Sequence, residues 1–302
     1  MTAVTARAGA VGVAQRRRRV RWGRVGLHLF LIGISIAWLF PLIWSVYTSL
    51  RPYDDTSRHG YLSHLGSFNL DNYVEAWDRG GIPTYFINTV IILVPAVIAV
   101  LFLASMLAFA VSRFSWRFNL ALLMAFTAGN LLPPQVIITP LYRLYLALPL
   151  PWPLSDNGIV YDQYIGITII HVAFQLGFCA FVLSNYMKTL PHELTEAALV
   201  DGASVWQIFW RVTLPLCRPP LAALATLQVT WIYNDFFWAL ILMSTGNKLP
   251  ITSALNNLRG EFFTDFNLLA AGSVLVMLPT LIVYFALQRH FISGLTLGST
   301  KG

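Results

Sequence analysis

The sequence predicts an all-α membrane protein with six transmembrane helices and both termini in the cytoplasm. The first observation behind this prediction is composition, since 57% of the residues are hydrophobic and only 11% are charged. An ordinary soluble domain has about 25% charged residues. The second observation is the length of the uncharged stretches, and the third is how Lys and Arg are distributed between the loops.

Six stretches are candidates for bilayer crossings, each of which takes about 20 apolar residues. They cover residues 25–50, 80–112, 118–142, 163–187, 219–234 with a continuation past Asp235 to 247, and 266–288. The first stretch follows a run of arginines, as the apolar part of a signal peptide does. The apolar part of a signal peptide has about 7–15 residues, and this stretch is longer. It also lacks a cleavage site of small residues at its end. We therefore interpret it as a retained first helix.

The basic residues predict the orientation, because cytoplasmic loops carry an excess of Lys and Arg. With the N-terminus inside, fourteen of the twenty Lys and Arg residues lie in the cytoplasm and six lie outside. The predicted organisation is a basic cytoplasmic tail over 1–24, a transmembrane domain over 25–291 and a cytoplasmic tail over 292–302. The domain includes one long cytoplasmic loop over about 188–218. The net charge of +7 belongs to tails and loops, so no nucleic-acid partner is expected.

Catalytic and metal-binding motifs are not found in the sequence. Cys179 lies in an apolar run and Cys217 in a basic loop, which indicates neither a disulfide framework nor a metal site. No CxxC, HExxH, P-loop or GxSxG pattern occurs. We expect no catalytic residues, no metal and no cofactor in this chain.

The most informative stretch is the long cytoplasmic loop. Glu196 is expected near the start of a short helix, where the positive end of the helix dipole favours a carboxylate. Gly202 is placed to end that helix in a left-handed conformation that favours glycine. Four residues that follow at helical spacing form an apolar stripe expected to lie on the bundle. They are Val205, Ile208, Phe209 and Val212. Leu214-Pro215 is expected to close this second stretch.

Glu-Ala-Ala alone is common and is compatible with a loop that merely connects two helices. The complete spacing EAA-x3-G-x9-[I/V]-x-LP, in a cytoplasmic loop between spans four and five, resembles the coupling loop of permease subunits in binding-protein-dependent ABC importers. Further stretches resemble carbohydrate importers, specifically the smaller permease of the maltose type. They are Pro133-Pro134-Gln135 with Pro140-Leu141-Tyr142, residues 231–238, and the closing stretch 294–302. Ala239 stands where the family usually has Pro.

The resemblance implies the partners: a second, similar permease, two copies of an ATPase that binds ATP and Mg, an extracytoplasmic solute-binding protein, and membrane lipid. It implies that a set of coupling residues docks in the ATPase, namely Glu196, Ala197, Ala198, Asp201, Gly202, Leu214 and Pro215. It places the C-terminal tail, including Lys301 and Gly302, between the ATPases. The loop over about 244–267 is implied to face the binding protein, with Gly246, Asn247 and Lys248 at a tip that probes its ligand cleft. The alternative for this loop is a plain connector.

Asp235 is the only charged residue within a predicted span. A charge at the centre of a membrane helix costs about 2.5–3.5 kcal/mol on insertion scales, so it is expected to face protein or a water-filled path. Trp231, Asn234, Asp235 and Trp238 fall on one face of a continuous helix and are candidates to line a sugar path. The alternative is that the tryptophans anchor the interface and Asp235 is a structural bonding partner. Weaker candidates, more typical of interhelical hydrogen bonds, are Asn88, Gln135, His171, Gln175 and Gln228. In the sequence His171 has no partner for a proton relay.

The sequence therefore predicts the permease subunit of an ATP-driven importer in the cytoplasmic membrane, carrying a sugar such as an oligosaccharide, a disaccharide or a related polyol. Another solute, such as a glycerol phosphodiester, stays open. A secondary transporter is disfavoured because it needs more intramembrane carboxylates. A membrane enzyme or assembly factor is disfavoured because no nucleophiles or metal ligands cluster near one interface.

Overall fold

The computed structural model describes residues 22–63, 66–114, 117–129, 133–259 and 263–296, and its regular structure is almost entirely helical. The α-helices in these residues are α1 Trp22–Ser49, α2 Tyr53–His59, α3 Asp71–Arg79, α4 Ile82–Arg113, α5 Asn119–Gly129, α6 Ile138–Ala147, α7 Tyr164–Met187, α8 Glu193–Val200, α9 Val205–Ile208, α10 Leu214–Leu216, α11 Arg218–Tyr233, α12 Phe237–Leu242, α13 Ile251–Ala254 and α14 Phe266–Thr296. A π-helical turn, Phe209–Thr213, joins α9 to α10. In the described part of the chain the β pairing is a single isolated bridge between Pro149 and Ile159.

The chain divides into two compact units, Met1–Trp44 and Ser45–Gly302. In the first unit the described residues belong to α1, and the ring of Phe40 stacks on that of Trp44 at 5.8 Å. The second unit contains the remaining helices and every site discussed below. Lys301 and Gly302, predicted to act in the C-terminal tail, lie outside the described residues.

Four of the described helices are long and apolar enough to cross a membrane. They are Gly23–Ser49, Ile82–Arg113, Tyr164–Met187 and Phe266–Ala286. A fifth candidate is the pair Ala121–Gly129 and Pro134–Ala147, whose axes lie at 89° to each other. The described residues are thus almost entirely helical and include four or five stretches of membrane length, whereas the six spans and the cytoplasmic termini stay predictions.

The predicted fifth span is divided. Helix α11 ends at Tyr233, and α12 begins at Phe237. Asp235 lies in the break, where its Oδ1 accepts a hydrogen bond from the backbone N–H of Trp238 at 3.3 Å. Asn and Asp favour helix ends because their side chains compete for backbone hydrogen bonds. The expectation of one continuous helix here was wrong.

Helices α4 and α7 form the centre of the second unit. Ala96, Val100, Ala104 and Ala108 recur every four residues along α4, and each is fully buried. Such small side chains let two helix backbones approach closely. Residues of α7, including Ala180, lie in the same buried clusters. This pair carries the functional segments at its two ends.

Candidate coupling and transport site

The coupling segment, residues 188–217, lies between α7 and α11. Its first helix, α8, begins with Glu193 and Glu196 in the first turn, where the helix dipole favours negative charge. No residue of α8 is buried. Ala197 is exposed, whereas Ala198 is half-buried and packs against the core below. The helix therefore lies on the bundle with its acidic edge free.

Gly202 ends α8 as predicted. Its φ of 79° lies in the left-handed region, which residues with a Cβ rarely adopt. The N–H of Gly202 donates to the carbonyl of Leu199 at 3.0 Å, and that of Ala203 donates to Ala198 at 2.9 Å. These two bonds form a Schellman motif, which satisfies carbonyls at the end of the helix. Asp201 is the C-cap of α8, and the residue after the C-cap takes the left-handed conformation in this motif. That residue is Gly202.

The second arm of the coupling segment begins with a cap that the sequence analysis missed. The Ser204 hydroxyl accepts from the N–H of Gln207 at 3.3 Å, and the N–H of Ser204 donates to Gln207 Oε1 at 2.8 Å. This reciprocal pair is a capping box. The signal was present as Ser-x-x-Gln immediately before an apolar stretch.

The apolar stripe holds the coupling segment to the bundle. Ile208 and Phe209 are buried, and their cluster contains Phe109 of α4 and both Leu183 and Met187 of α7. The ring centroids of Phe209 and Phe109 are 5.4 Å apart. Val212 packs against the same cluster, as predicted.

One expectation for this arm was wrong, since Val205 is 46% exposed and takes no part in the buried stripe. The helical stretch ends within one residue of Leu214-Pro215, because α10 ends at Leu216 and Cys217 separates it from α11. A proline ring collides with the carbonyl four residues earlier in an α-helix. The wider π-turn over Phe209–Thr213 changes that spacing and lets the chain stay helical.

The outward side of the coupling segment is apolar and open. Leu199, Trp206 and Trp210 are exposed, and Val200 is 87% exposed. Beside them a cleft of about 340 Å³ is lined by Asp201, Gly202, Ala203, Gln207, Arg211 and Val212. A contiguous exposed apolar patch on a protein marks an interaction surface. The arrangement suits a protein partner that covers α8 and reaches the cleft.

The four predicted path residues do not share a face. Trp231 is on α11 and Trp238 on α12, with Asn234 and Asp235 in the break between them. Trp238 is buried against the ring of Phe174 at 5.0 Å, whereas Trp231 and Asn234 are exposed. The predicted common face was wrong because the break turns the chain between the two tryptophans.

Asp235 has a partner that the sequence did not indicate. Its Oδ2 lies 3.6 Å from Nε2 of His171 on α7, and both side chains are largely buried. The cavity beside them measures about 10 Å³ and includes Thr89 of α4 in its lining. This space is too small for a sugar ring. The pair joins the α11–α12 break to α7, which favours a structural role for Asp235.

A larger cavity of about 310 Å³ opens beside Asn234, between α11, α13 and α14. Its polar lining consists of Asn234, Thr252, Ser273 and Thr280, and its apolar lining of Leu255, Val276, Met277 and Leu281. Hydroxyl and amide groups beside aliphatic surface match the chemistry of a sugar, which has hydroxyl edges and apolar ring faces. Three of the four polar residues were not among the predicted candidates, because only the tertiary fold brings α14 next to Asn234.

Three of the weaker polar candidates, Asn88, Gln175 and Gln228, form hydrogen bonds to other elements. Gln228 of α11 donates to Gln175 Oε1 at 3.4 Å and to Cys179 Sγ at 3.2 Å, both on α7. Asn88 of α4 bonds backbone carbonyls of the loop after α12. Gln135 is exposed in a 3₁₀ turn. Interhelical bonding was the expected role, and it is confirmed for Gln175 and Gln228.

The tip loop, residues 244–249, contains the three predicted binding-protein-facing residues. Gly246 and Asn247 are exposed. Lys248 is half-buried because its Nζ lies 2.6 Å from Oδ2 of Asp156, in the loop between α6 and α7. Hydrogen bonds from Lys248 and then from Gln163 lower the pKa of Asp156 to about 2. Lys248 is therefore engaged within the protein, while its two neighbours are free to meet another surface.

Comparison with known proteins identifies the family. Residues 100–296 match the model for the inner membrane component of binding-protein-dependent transport systems. The chain belongs to this family. The resemblance noted from the coupling loop and the C-terminal stretches is thereby confirmed, and the protein is a transport subunit with several membrane helices.

Individual relatives agree with this assignment. The permease is 33% identical to a probable ABC transporter permease of Pyrococcus horikoshii, over 89% of this chain and 94% of the relative. It is 36% identical to the alpha-glucoside transport system permease AglG of Rhizobium meliloti, over 78% of this chain and 61% of the relative. Its fold matches a bacterial ABC transporter that imports the acidic polysaccharide alginate, with a TM-score of 0.74, 22% identity and coverage of 90% and 99%.

Proposed function

We propose that this permease is one of two membrane subunits of an ATP-driven importer that carries a sugar across the cytoplasmic membrane. The observation that carries the proposal is the coupling segment, in which an exposed acidic helix is joined to a buried anchor. The ATPase, with its ATP and Mg, is a separate partner present in two copies. A second permease completes the path, and a solute-binding protein delivers the sugar from outside.

The mechanism follows from how α8 is attached. When the ATPases close on ATP, a force on α8 passes through Ile208 and Phe209 to α4 and α7. A close-packed anchor does not absorb small displacements, so the helix pair moves as a body and exposes the path to the other side. In this mechanism Glu196 and the exposed apolar residues contact the ATPase, and the permease carries out no chemistry.

A sugar is proposed as the substrate on two grounds. According to their names, the alpha-glucoside relative and the alginate importer transport saccharides. The cavity beside Asn234 offers amide and hydroxyl groups beside aliphatic side chains. We place the sugar path along this cavity rather than at Asp235, whose adjacent space is too small.

The proposed topology has six spans with both termini inside. Its spans are α1, α4, the bent pair of α5 and α6, α7, the broken pair of α11 and α12, and α14. Single cysteines at Val200 and at Asn247 test it, since both residues are exposed. A membrane-impermeant thiol reagent added to intact cells is expected to label Asn247→Cys and to spare Val200→Cys. The reverse labelling, or labelling of both, contradicts the topology.

The proposed coupling is tested with Glu196→Arg in the assembled transporter. Membrane insertion is expected to be normal, while uptake from a panel of labelled glucosides and oligosaccharides is lost. Asp78→Arg, which makes the same charge change at an exposed site on α3, is the control and is expected to transport normally. Normal uptake by Glu196→Arg argues against the coupling role. Uptake that stops when the proton gradient is collapsed at preserved ATP indicates a secondary transporter instead.

A further inference from the structure

Asp162, at the end of the loop between α6 and α7, has an unusual backbone. Its φ of 63° is the one positive value at a non-glycine residue in the described part of the chain. Asp and Asn adopt the left-handed region more readily than other residues with a Cβ, but the conformation still costs free energy that the surroundings must offset. The side chain is also buried, at 6% exposure. A buried, strained carboxylate requires an account of its partners.

The partners of Asp162 lie in the tip loop and at the end of α12, which directly precedes it. Its Oδ1 accepts from the backbone N–H groups of Ser244 at 2.8 Å and Thr245 at 3.0 Å. Its Oδ2 accepts from the Thr245 hydroxyl. Its own N–H donates to the carbonyl of Leu242 at 2.9 Å. One residue thus binds the start of the tip loop through both backbone and side chain.

The partners of Asp162 favour the charged form of its carboxyl group. Burial opposes ionisation, but hydrogen bonds from Thr245 and Ser244 outweigh it and lower the pKa of the carboxyl. The Nζ of Lys248 adds a bond to the Asp162 carbonyl at 3.2 Å and an ion pair to Asp156. Hydrogen bonds to a charged acceptor are stronger than those between neutral groups.

The far side of the tip loop is held by α4. Asn88 donates to the carbonyls of Asn247 at 2.7 Å and Leu249 at 3.0 Å. Its Oδ1 accepts from the hydroxyl of Tyr164, the first residue of α7, at 2.8 Å. The tip loop is therefore fixed to both helices whose other ends hold the coupling segment.

We propose that Asp162 is a positioning residue that holds the tip loop in one preformed conformation for docking of the solute-binding protein. The inference rests on the proposed function, and it adds the residue that prepares the docking surface. A preformed loop loses little conformational freedom on docking, and this raises affinity. In this proposal the loop between α6 and α7 supports the tip loop. The exposed residues Gly246 and Asn247 contact the solute-binding protein.

The first experiment measures the clamp itself, without any partner. Amide hydrogen exchange over residues 242–249 is compared in the purified permease and three variants. Asp162→Gly removes the carboxylate and also relieves the backbone, so folding is spared. Asp162→Asn keeps an acceptor and tolerates the left-handed conformation. Asp78→Asn changes an exposed carboxylate elsewhere.

We expect the amides of Ser244 and Thr245 to exchange about tenfold faster in Asp162→Gly, because protection follows the free energy of local opening. Asp162→Asn is expected to exchange at a rate between those of Asp162→Gly and the unmodified protein, because a neutral acceptor bonds more weakly than a carboxylate. Asp78→Asn is expected to match the unmodified protein. Unchanged exchange in Asp162→Gly would show that the loop is held by other contacts, and the proposal fails whatever the protein transports.

The second experiment measures docking. The assembled transporter is titrated with its solute-binding protein, and ATP hydrolysis is scaled to the maximum of each variant. The half-stimulating concentration is expected to rise about tenfold in Asp162→Gly, the factor that corresponds to 1.4 kcal/mol, and to recover in part in Asp162→Asn. A loosened loop with an unchanged half-stimulating concentration overturns the docking role. No stimulation of the unmodified transporter overturns the proposed function, while the exchange result still stands for the clamp.

Discussion

The coupling segment and the tip loop are both connections at the ends of α4 and α7, and they are held by opposite means. The coupling segment is fixed by the buried apolar anchor Ile208 and Phe209. The tip loop is fixed by a charged and hydrogen-bonded clamp around Asp162 and Lys248. Apolar burial is non-directional and scales with area, whereas hydrogen bonds to backbone groups fix one conformation. The first suits an element that transmits force as a body, and the second suits a surface that must keep its shape.

The largest effect is expected from Phe209→Ala, which tests whether the anchor depends on burial. Removing a buried Phe side chain costs about 3–5 kcal/mol, so we expect a lower unfolding temperature and loss of ATP-coupled uptake. Trp206→Ala is the matched control, because Trp206 stacks on Phe209 but is exposed. Its unfolding temperature is expected to change little. An equal drop in unfolding temperature in the two variants would mean that burial does not distinguish the anchor.

A smaller effect is expected from Gly202→Ala, which tests the turn between the two arms. A Cβ at Gly202 meets open space, so the cost is backbone strain alone, about 1–2 kcal/mol in the left-handed region. Amide exchange at the end of α8 is expected to accelerate accordingly. Gly246→Ala in the tip loop is the control, since its surroundings are equally open and its φ is not positive. If both variants behave alike, the Schellman turn does not set the end of α8.

The capping box is expected to contribute next. Ser204→Ala removes the acceptor for the Gln207 N–H, a loss of about 1 kcal/mol, and is expected to loosen the first turn of α9 without detaching the anchor. Ser204→Asp keeps a capping oxygen and is expected to retain protection. Amide exchange of Gln207 distinguishes the two variants. If the amide of Gln207 stays fully protected in Ser204→Ala, the buried anchor alone holds the start of α9 in place.

The smallest effect concerns the ion pair of the tip loop. The folded protein lowers the pKa of Asp156 from 3.8 to about 2, with Lys248 as the largest cause. The contribution of this carboxylate is therefore present above about pH 4 and lost as the pH falls toward 2. Lys248→Met is expected to move the Asp156 pKa back toward 3.8, as measured by NMR of labelled aspartate. An unchanged pKa would assign the shift to Gln163.

The local features of the coupling segment were readable because they depend on neighbours in sequence. Gly202 was predicted to be left-handed because glycine is favoured in that conformation at the end of a helix, and the structure confirms it. The burial of Ile208 and Phe209 followed from helical spacing beside a membrane helix. The π-turn over Phe209–Thr213 was not predicted, because it has no sequence signal of its own.

Composition and hydrophobic length were enough to predict a helical membrane protein. The position of the coupling segment and the family followed from motifs, of which the longest runs from Glu196 to Pro215. The sequence did not predict that Asp235 lies in a break beside His171, that Ser273 and Thr280 line the cavity at Asn234, or that Asp162 holds the tip loop. The contacts among them join residues more than 35 positions apart in the sequence. At the break, the chain could either continue one helix or end it and begin another. Packing against distant helices decides between these conformations, and no single stretch of sequence carries that information.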